Sequence, residues 1–145
     1  MKAPELIDPR TQIYRGSAPE SIKDIYDLAQ LGIKKILCLE FFQGGGEAQL
    51  WAEHCHIAYD HIKLGAFFPP SQKEMQDCLD VLANANNLPC YVHCKEGKDR
   101  TGMIIGAYKH LVLGQSFEVV KKDMLDHGFH VFPYVFWIPR LKSYS

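Results

Sequence analysis

The sequence predicts an α/β fold in which a mostly parallel central sheet is flanked by helices on both faces. Short apolar and β-branched runs, typical of buried parallel strands, alternate along the chain with longer amphipathic patterns that begin at serine residues. The 145 residues contain no internal repeat, low-complexity tract or linker-like run. We therefore expect a single domain over residues 1–145.

Four strands are predicted from apolar or alternating runs that are bounded by turn residues. The second strand is followed by the glycine-rich run 43–46, which is expected to be a flexible loop. The fourth strand ends at His93 and leads directly into the most informative segment of the chain. The predicted strands are, in order, 12–15, 33–39, 57–62 and 88–93.

Five helices are predicted between and after these strands. The segments Ser17–Glu20 and Ser71–Glu74 match the capping-box pattern, Ser116 is a third candidate cap, and Gly32 is placed to end the first helix. The fourth helix is apolar on nearly all sides, so we expect it at the centre of the molecule. The aromatic tail 131–139 is expected to pack over the core. The predicted helices are 17–31, 47–55, 71 to about 82, 101–113 and 116–126.

Composition excludes several classes of function. With 47% hydrophobic and 23% charged residues and a net charge of −1, the chain has no global field to attract nucleic acid or an anionic membrane. The N-terminus lacks a signal-peptide pattern, and no run approaches the ~18 apolar residues of a membrane span. We expect a cytoplasmic protein without integral membrane association. Its five cysteines are expected to be reduced thiols.

The segment from Tyr91 to Gly102 sets Cys94 and Arg100 six positions apart, between an apolar strand and a buried helix. A loop of this form wraps backbone N–H groups around a tetrahedral anion, with a helix N-terminus aimed at the same point. That N-terminus also stabilises a cysteine thiolate. Gly97 stands where the backbone must turn sharply. The segment therefore indicates phosphoryl chemistry through a covalent cysteine.

Each residue of this loop has a predicted role. Cys94 attacks phosphorus, Arg100 binds two phosphate oxygens as a planar fork, and the Thr101 hydroxyl donates to the sulfur. His93 is expected to orient the loop through a hydrogen bond to backbone. The predicted substrate-binding residues of the loop are Lys95, Glu96, Gly97, Lys98, Asp99 and Arg100.

The motif His93-Cys94-x5-Arg100-Thr101-Gly102 resembles the signature of the cysteine-dependent protein tyrosine phosphatase superfamily, in its compact dual-specificity-like branch. Segments 14–19, 32–37 and 57–63 also look like the compact members, and the resemblance covers roughly residues 12–128. It implies a dual-specificity-phosphatase-like fold, hydrolysis of phosphate monoesters through a cysteinyl-phosphate, no metal and no other cofactor.

Lys95 and Lys98 are similar to the lysines of phosphatases that act on phosphoinositides and inositol polyphosphates, including the phosphatase-like phytases. A substrate with several phosphates needs cations beside the reacting site, and lysine is a suitable point charge. Arg15 is expected to add to this basic rim. The predicted partner is a small polyanionic phosphorylated substrate. The sequence leaves the oligomeric state open.

The general acid departs from the family pattern, because the position where the family carries aspartate falls near Ala66. Asp99 is the best substitute, Asp60 is a second candidate, and a site without an acid is a third possibility. Losing general acid catalysis costs roughly 10²–10⁴ in rate for a poor leaving group. The alternatives left open are a tyrosine or dual-specificity phosphatase with Phe67 or Phe68 as an aromatic wall, a non-catalytic phosphate-binding module and, more distantly, a rhodanese-like sulfurtransferase.

Overall fold

The computed structural model describes residues 1–41 and 46–145, and it contains a five-stranded sheet with helices on both sides. The predicted flexible run 43–46 lies, apart from its last residue, outside the described residues. The strands are β1 (Glu5–Leu6), β2 (Ile13–Gly16), β3 (Lys35–Cys38), β4 (Ala58–His61) and β5 (Cys90–His93). The helices are α1 (Ile22–Gln30), α2 (Gly46–His54), α3 (Gln72–Ala83), α4 (Arg100–Leu111), α5 (Phe117–Asp126) and α6 (Trp137–Arg140).

The sheet has the strand order β1-β2-β5-β3-β4. β1 pairs with β2 in the antiparallel sense, whereas the pairs β2–β5, β5–β3 and β3–β4 are parallel. His93 at the end of β5 is in register with Gly16 on one side and Cys38 on the other. Because the carboxyl ends of these three strands lie side by side, the loop that begins at Cys94 emerges from the middle of that edge.

Hydrophobic residues cover the sheet on both faces, as the sequence predicted. The larger core contains buried side chains of α3, α4, α5 and the C-terminal tail, and the smaller core contains those of α1 and α2. α4 is buried on most of its surface, and the ammonium group of its Lys109 makes a 2.9 Å ion pair with Asp123 of α5. α4 is therefore a central element, and its N-terminus has a fixed position.

The predicted start of the first helix was wrong. Ser21 caps α1, because its hydroxyl accepts a hydrogen bond from the Asp24 N–H. Ser17 instead accepts from the Lys2 N–H through its hydroxyl and from the Tyr91 hydroxyl through its carbonyl. These contacts hold residue 17 against the N-terminus and the sheet, so it cannot take part in a helix.

The other two predicted caps are confirmed. Ser71 and Glu74 form a reciprocal capping box at the start of α3, and the Ser116 hydroxyl accepts from the Val119 N–H at the start of α5. Gly32, with a φ of +88°, follows α1 and takes the left-handed backbone that was predicted to end it.

Two features were not predicted. β1 is a two-residue antiparallel edge strand, and the tail forms α6 followed by a 3₁₀ turn over Leu141–Ser143. The tail packs over the core in part, because Trp137 and Ile138 are buried, whereas Phe132 and Phe136 are 84% and 79% exposed. The five cysteines are free thiols. Among the described residues, no helix has both the length and the apolar character needed to cross a bilayer.

Candidate active site

The anion loop, residues 94–100, connects β5 to α4. Its turn depends on Gly97, which has a φ of +76°. A Cβ atom added at this position would lie 2.5 Å from the carbonyl oxygen of Gly16. Because both the backbone conformation and the close approach to β2 exclude a side chain, glycine is required where the sequence predicted a sharp turn.

Neighbouring groups hold the carbonyl oxygens on the outside of this loop. Since the C=O and N–H of one peptide unit point in opposite directions, a carbonyl held outside turns the next N–H inward. The N–H groups of residues 95, 96 and 98 therefore face away from these contacts, towards the space that the loop encloses. The contacts are His93 Nδ1 to the Cys94 carbonyl (2.9 Å), the Ala18 N–H to the Lys95 carbonyl (3.0 Å) and Arg15 Nη2 to the Gly97 carbonyl (2.8 Å).

The N-terminus of α4 adds positive potential to the same space. Serine hydroxyl groups cap α1, α3 and α5, but the N-cap residue of α4, Asp99, makes no side-chain capping bond. The first N–H groups of α4 are thus left for an anion. The Thr101 hydroxyl is fully buried here without a hydrogen-bond partner. That orphaned donor fits its predicted role towards a thiolate.

A cavity of about 130 Å³, here called the anion pocket, opens inside the loop. Cys94, which is 3% exposed, contributes to its wall together with Arg100. The tail closes another side through Tyr134 and Trp137. The lining residues are Ala66, Cys94, Lys95, Glu96, Asp99, Arg100, Tyr134 and Trp137.

Two larger cavities flank the anion pocket. The aromatic hollow, of about 550 Å³, is mainly apolar, and the polar groove, of about 830 Å³, contains lysines and glutamates. Arg100 borders both the anion pocket and the aromatic hollow, while Lys95 and Glu96 border both the anion pocket and the polar groove. The aromatic hollow is lined by Phe41, Gly65, Ala66, Phe67, Phe68, Pro69, Glu74 and Arg100. The polar groove is lined by Met1, Lys2, Ser17, Ala18, Glu20, Glu40, Lys95, Glu96 and Lys98.

Of the two carboxylates that were considered as the general acid, Asp99 and Asp60, the structure brings only one to the anion pocket. Ala66 does line the anion pocket, at the position where the family carries aspartate. Asp60 is not among the lining residues, and it makes a 2.8 Å ion pair with Lys35 across the β3–β4 pair. Asp99 and Glu96 are the carboxylates that line this pocket. Asp99 therefore keeps its predicted place at the site, and Asp60 lies elsewhere.

His130, which sequence reasoning missed, fixes the Asp99 carboxylate. One carboxylate oxygen accepts from the His130 N–H at 2.8 Å, and the other lies 2.9 Å from His130 Nδ1. His130 stands in the segment between α5 and α6, so the contact also anchors the tail to the anion loop. The run of aromatic residues around it was the one signal in the sequence, and it was interpreted as core packing.

Lys95 and Lys98 lie in different environments. Lys95 is exposed and borders both the anion pocket and the polar groove, whereas Lys98 lines the polar groove but not the anion pocket and lies 3.8 Å from the Glu96 carboxylate. Arg15 lies beneath the loop and not on its rim, because it is 4% exposed and donates to the Gly97 carbonyl. Burial lowers the pKa of Arg15, and the negative charges of Asp123, Glu5 and Cys94 oppose that shift.

His93 holds the start of the loop as predicted, through Nδ1 and the Cys94 carbonyl. A carbonyl oxygen can only accept, so Nδ1 carries the proton and Nε2 keeps its lone pair. Burial lowers the pKa of His93 to about 4, against the opposing effect of its hydrogen bond to the Cys94 backbone. At neutral pH the ring is therefore uncharged, and it does not compete with Arg100 for an anion.

A parallel sheet whose middle strand leads into an anion loop with a buried cysteine defines the class of cysteine-dependent phosphatases. The family model described as the tyrosine phosphatase family matches residues 7–118. The chain belongs to this family.

A curated relative agrees with this assignment. Probable tyrosine-protein phosphatase DG1060 of Dictyostelium discoideum is 25% identical over 103 residues, which are 68% of this chain and 61% of the relative. The chain thus spans less than two thirds of the length of that curated relative.

Solved structures share the fold at lower identity. The core catalytic domain of the PP-IP phosphatase SIW14 from S. cerevisiae, in complex with citrate, has a TM-score of 0.81 and 22% identity, covering 92% of this chain and 81% of that one. P. aeruginosa TpbA, in complex with pTyr, has a TM-score of 0.70 and 18% identity, covering 97% and 86%. Tk-PTP has a TM-score of 0.82 and 15% identity, covering 97% and 93%.

Proposed function

We propose that this chain hydrolyses phosphate monoesters through a phosphorylated Cys94, and that its substrates are inositol polyphosphates. The observation that carries the reaction is the buried Cys94 in a pocket that also contains Arg100 and faces the uncapped N-terminus of α4. This arrangement supports the proposal, because a nucleophile, a planar cationic fork and free backbone donors are the groups that such a reaction needs around one tetrahedral anion.

The reaction has two steps. In the first, the Cys94 sulfur forms a bond to phosphorus as the bond to the leaving oxygen breaks, and that oxygen takes a proton from a general acid. In the second, water attacks phosphorus and gives a proton to the conjugate base of the general acid, the sulfur–phosphorus bond breaks, and inorganic phosphate leaves. Arg100 holds two of the phosphoryl oxygens in both steps, and the Thr101 hydroxyl donates a hydrogen bond to the departing thiolate.

We assign the general acid role to Asp99. It is one of the carboxylates lining the anion pocket, and His130 holds its side chain in one orientation. A carboxyl group that is held at the wall of this pocket is a candidate to protonate the leaving oxygen.

The polar groove supports the polyphosphate substrate. It begins at Lys95 on the edge of the anion pocket and continues to Lys98 and Lys2, so a second phosphate on the same ring meets ammonium groups. Glu20, Glu40 and Glu96 also line the groove, and their carboxylates oppose a polyanion. The pocket holds the reacting phosphate, and the groove accommodates the rest of the ring.

Two substitutions, one that removes the positive charge of Lys95 and one that removes the negative charge of Glu96, test this substrate class. A charge pair at about 4 Å in water is worth about 1 kcal/mol, so a dianionic phosphate interacts with one lysine by about 2 kcal/mol. We expect Lys95→Met to lower kcat/KM for inositol hexakisphosphate about 10- to 30-fold, and Glu96→Gln to raise it several-fold. Lys121→Met, on the exposed surface of α5, is the matched control. A preference for phosphotyrosine peptides that Lys95→Met leaves unchanged would overturn the substrate class and leave the chemistry intact.

A tyrosine phosphatase is the second candidate, and the aromatic hollow favours it. Phe67 and Phe68 are 89% and 83% exposed beside Arg100, where they offer a wall for a phosphotyrosine ring. If the protein is a tyrosine phosphatase, Phe68→Ser is expected to lower kcat/KM for phosphotyrosine peptides and to leave kcat/KM for inositol hexakisphosphate unchanged. For the proposed function, Phe68→Ser changes the polyphosphate reaction less than Lys95→Met does. A substrate panel on both variants separates the two.

A further inference from the structure

A second cluster of reactive side chains lies behind the anion loop, at the same edge of the sheet. Among the residues that the structure describes, Cys38, Glu40 and His93 are the group whose thiol sulfur, carboxylate oxygen and imidazole nitrogen all lie within 4.8 Å of one another. Cys38 and His93 are register partners in the parallel strands β3 and β5, so their side chains leave the same face of the sheet.

His93 presents an unpartnered ligand atom to this cluster. It is 1% exposed, and its Nε2 has no hydrogen-bond partner, although buried polar atoms are usually satisfied. Its Nδ1–H donates to the Cys94 carbonyl, which leaves the lone pair on Nε2. Histidines that bind metals usually donate their other ring N–H to a carbonyl or carboxylate in this way. The tautomer that supports the loop is therefore also the one that binds a cation.

Cys38 and Glu40 supply the other donors. The Cys38 sulfur lies 3.8 Å from a carboxylate oxygen of Glu40 and is fully buried, while Glu40 is half-buried. A set of one thiolate, one imidazole and one carboxylate suits Zn²⁺ in a site with three protein ligands. As the sulfur–zinc bond forms, the thiol proton is released to the buffer.

This cluster is separate from the pocket of the phosphatase reaction. Neither Cys38 nor Glu40 lines the anion pocket, and Glu40 instead lines the polar groove, which gives the cluster a path to solvent. We propose that Cys38, Glu40 and His93 form a zinc site, with a fourth coordination position for water. The bound ion joins β3 to β5 and fixes the imidazole that holds the Cys94 carbonyl.

Zinc titration of the full chain in a Cys94→Ser background tests this site, because the substitution removes the catalytic thiol as a competing ligand. After treatment with a chelator, calorimetry is expected to show one zinc ion bound per chain and a higher Tm with zinc. Cys38→Ala and Glu40→Gln are each expected to weaken zinc binding at least about tenfold. Cys78→Ala, at another buried thiol, is the matched control and keeps the parent affinity.

Cobalt provides a second readout that does not depend on stability. Co²⁺ bound to the parent is expected to show thiolate-to-metal absorption in the near ultraviolet, and Cys38→Ala removes that band. Glu40→Gln keeps the band at saturating Co²⁺, because the thiolate remains. If Cys38→Ala binds zinc as tightly as the Cys78→Ala control does, or if the parent binds no zinc, the proposal is wrong. Neither result bears on phosphatase activity.

Discussion

Replacing Arg15 tests how the anion loop is held. Its guanidinium is 4% exposed and donates 2.8 Å to the Gly97 carbonyl, yet its Nη1 has no partner. A hydrogen bond from a charged donor contributes about 1.5–3 kcal/mol. Burying an incompletely paired charge costs several kcal/mol, of the same order. The two effects nearly cancel in the folding free energy, so Arg15→Met is expected to change the free energy of unfolding by no more than about 1 kcal/mol.

In catalysis, nothing offsets the loss of the hydrogen bond from Arg15. Without Arg15 the Gly97 carbonyl is released, the following N–H group loses its inward direction, and a positive charge that favours the Cys94 thiolate disappears. A loss of about 1.5–3 kcal/mol of transition-state stabilisation corresponds to a roughly 10- to 100-fold fall in kcat. The same factor applies to aryl phosphates and to polyphosphates, since Arg15 acts through the loop.

Steady-state kinetics and urea unfolding of Arg15→Met provide the measurement. Arg10→Met is the control, because Arg10 is an exposed arginine that pairs with Asp8, far along the chain from the loop. A defect confined to KM that grows with the number of phosphates on the substrate would refute the reasoning. That result would indicate that Arg15 binds the substrate directly, as the sequence predicted.

Three further predictions concern the same site. First, the free energy of unfolding is expected to fall by about 3 kcal/mol between pH 6.5 and pH 4. Burial lowers the pKa of His93 to about 4, so the unfolded chain takes up the proton at a higher pH than the folded chain does. Urea unfolding across this pH range, in chelator-treated buffer, measures the change. Second, Gly97→Ala is expected to lower kcat/KM at least about 100-fold for every substrate, because the Cβ meets the Gly16 carbonyl at 2.5 Å. Third, Asp99→Asn is expected to slow alkyl phosphates about 10²- to 10⁴-fold and activated aryl phosphates far less, as a leaving-group series would measure.

The second and third of these predictions have matched controls. In Gly114→Ala the alanine must adopt the same left-handed backbone, at a φ of +71°, but its Cβ lies in open space. This variant should therefore lose stability without losing activity. Glu96→Gln removes the other pocket carboxylate and should leave the leaving-group dependence unchanged. Equal slowing of aryl and alkyl phosphates by Asp99→Asn would assign that residue to loop geometry. A flat stability profile from pH 6.5 to 4 would show that His93 titrates normally.

Local patterns predicted most of the fold because each predicted element carries its signal within its own segment of the sequence. The caps at Ser71 and Ser116 use the next three residues of their own helices, and the central strands β3 and β5 are short apolar runs buried on both sides. The start of α1 was misplaced since the partners of Ser17 come from residues 2 and 91, far away in the chain. β1 has two residues, too few for any periodicity.

The candidate site also contains parts that the sequence predicted and parts that it did not. The anion loop was predicted because Cys94, Gly97 and Arg100 belong to one contiguous segment. The contributions of Arg15 and His130 depend on contacts across 82 and 31 residues, which no local pattern encodes. The aromatic tail was expected to pack over the core, and it also closes the anion pocket. That second role follows from the tertiary path of the chain after α5.

The direct test of the central claim is detection of a phosphoryl group on Cys94 during turnover. Acid quench of the enzyme with an activated aryl phosphate, followed by peptide mass spectrometry, should show one phosphoryl group on the peptide that contains Cys94. The phenol product should appear in a burst that matches the amount of enzyme. Cys94→Ser should show neither signal and should still bind inorganic phosphate. Turnover that persists in Cys94→Ser would contradict covalent catalysis by this cysteine.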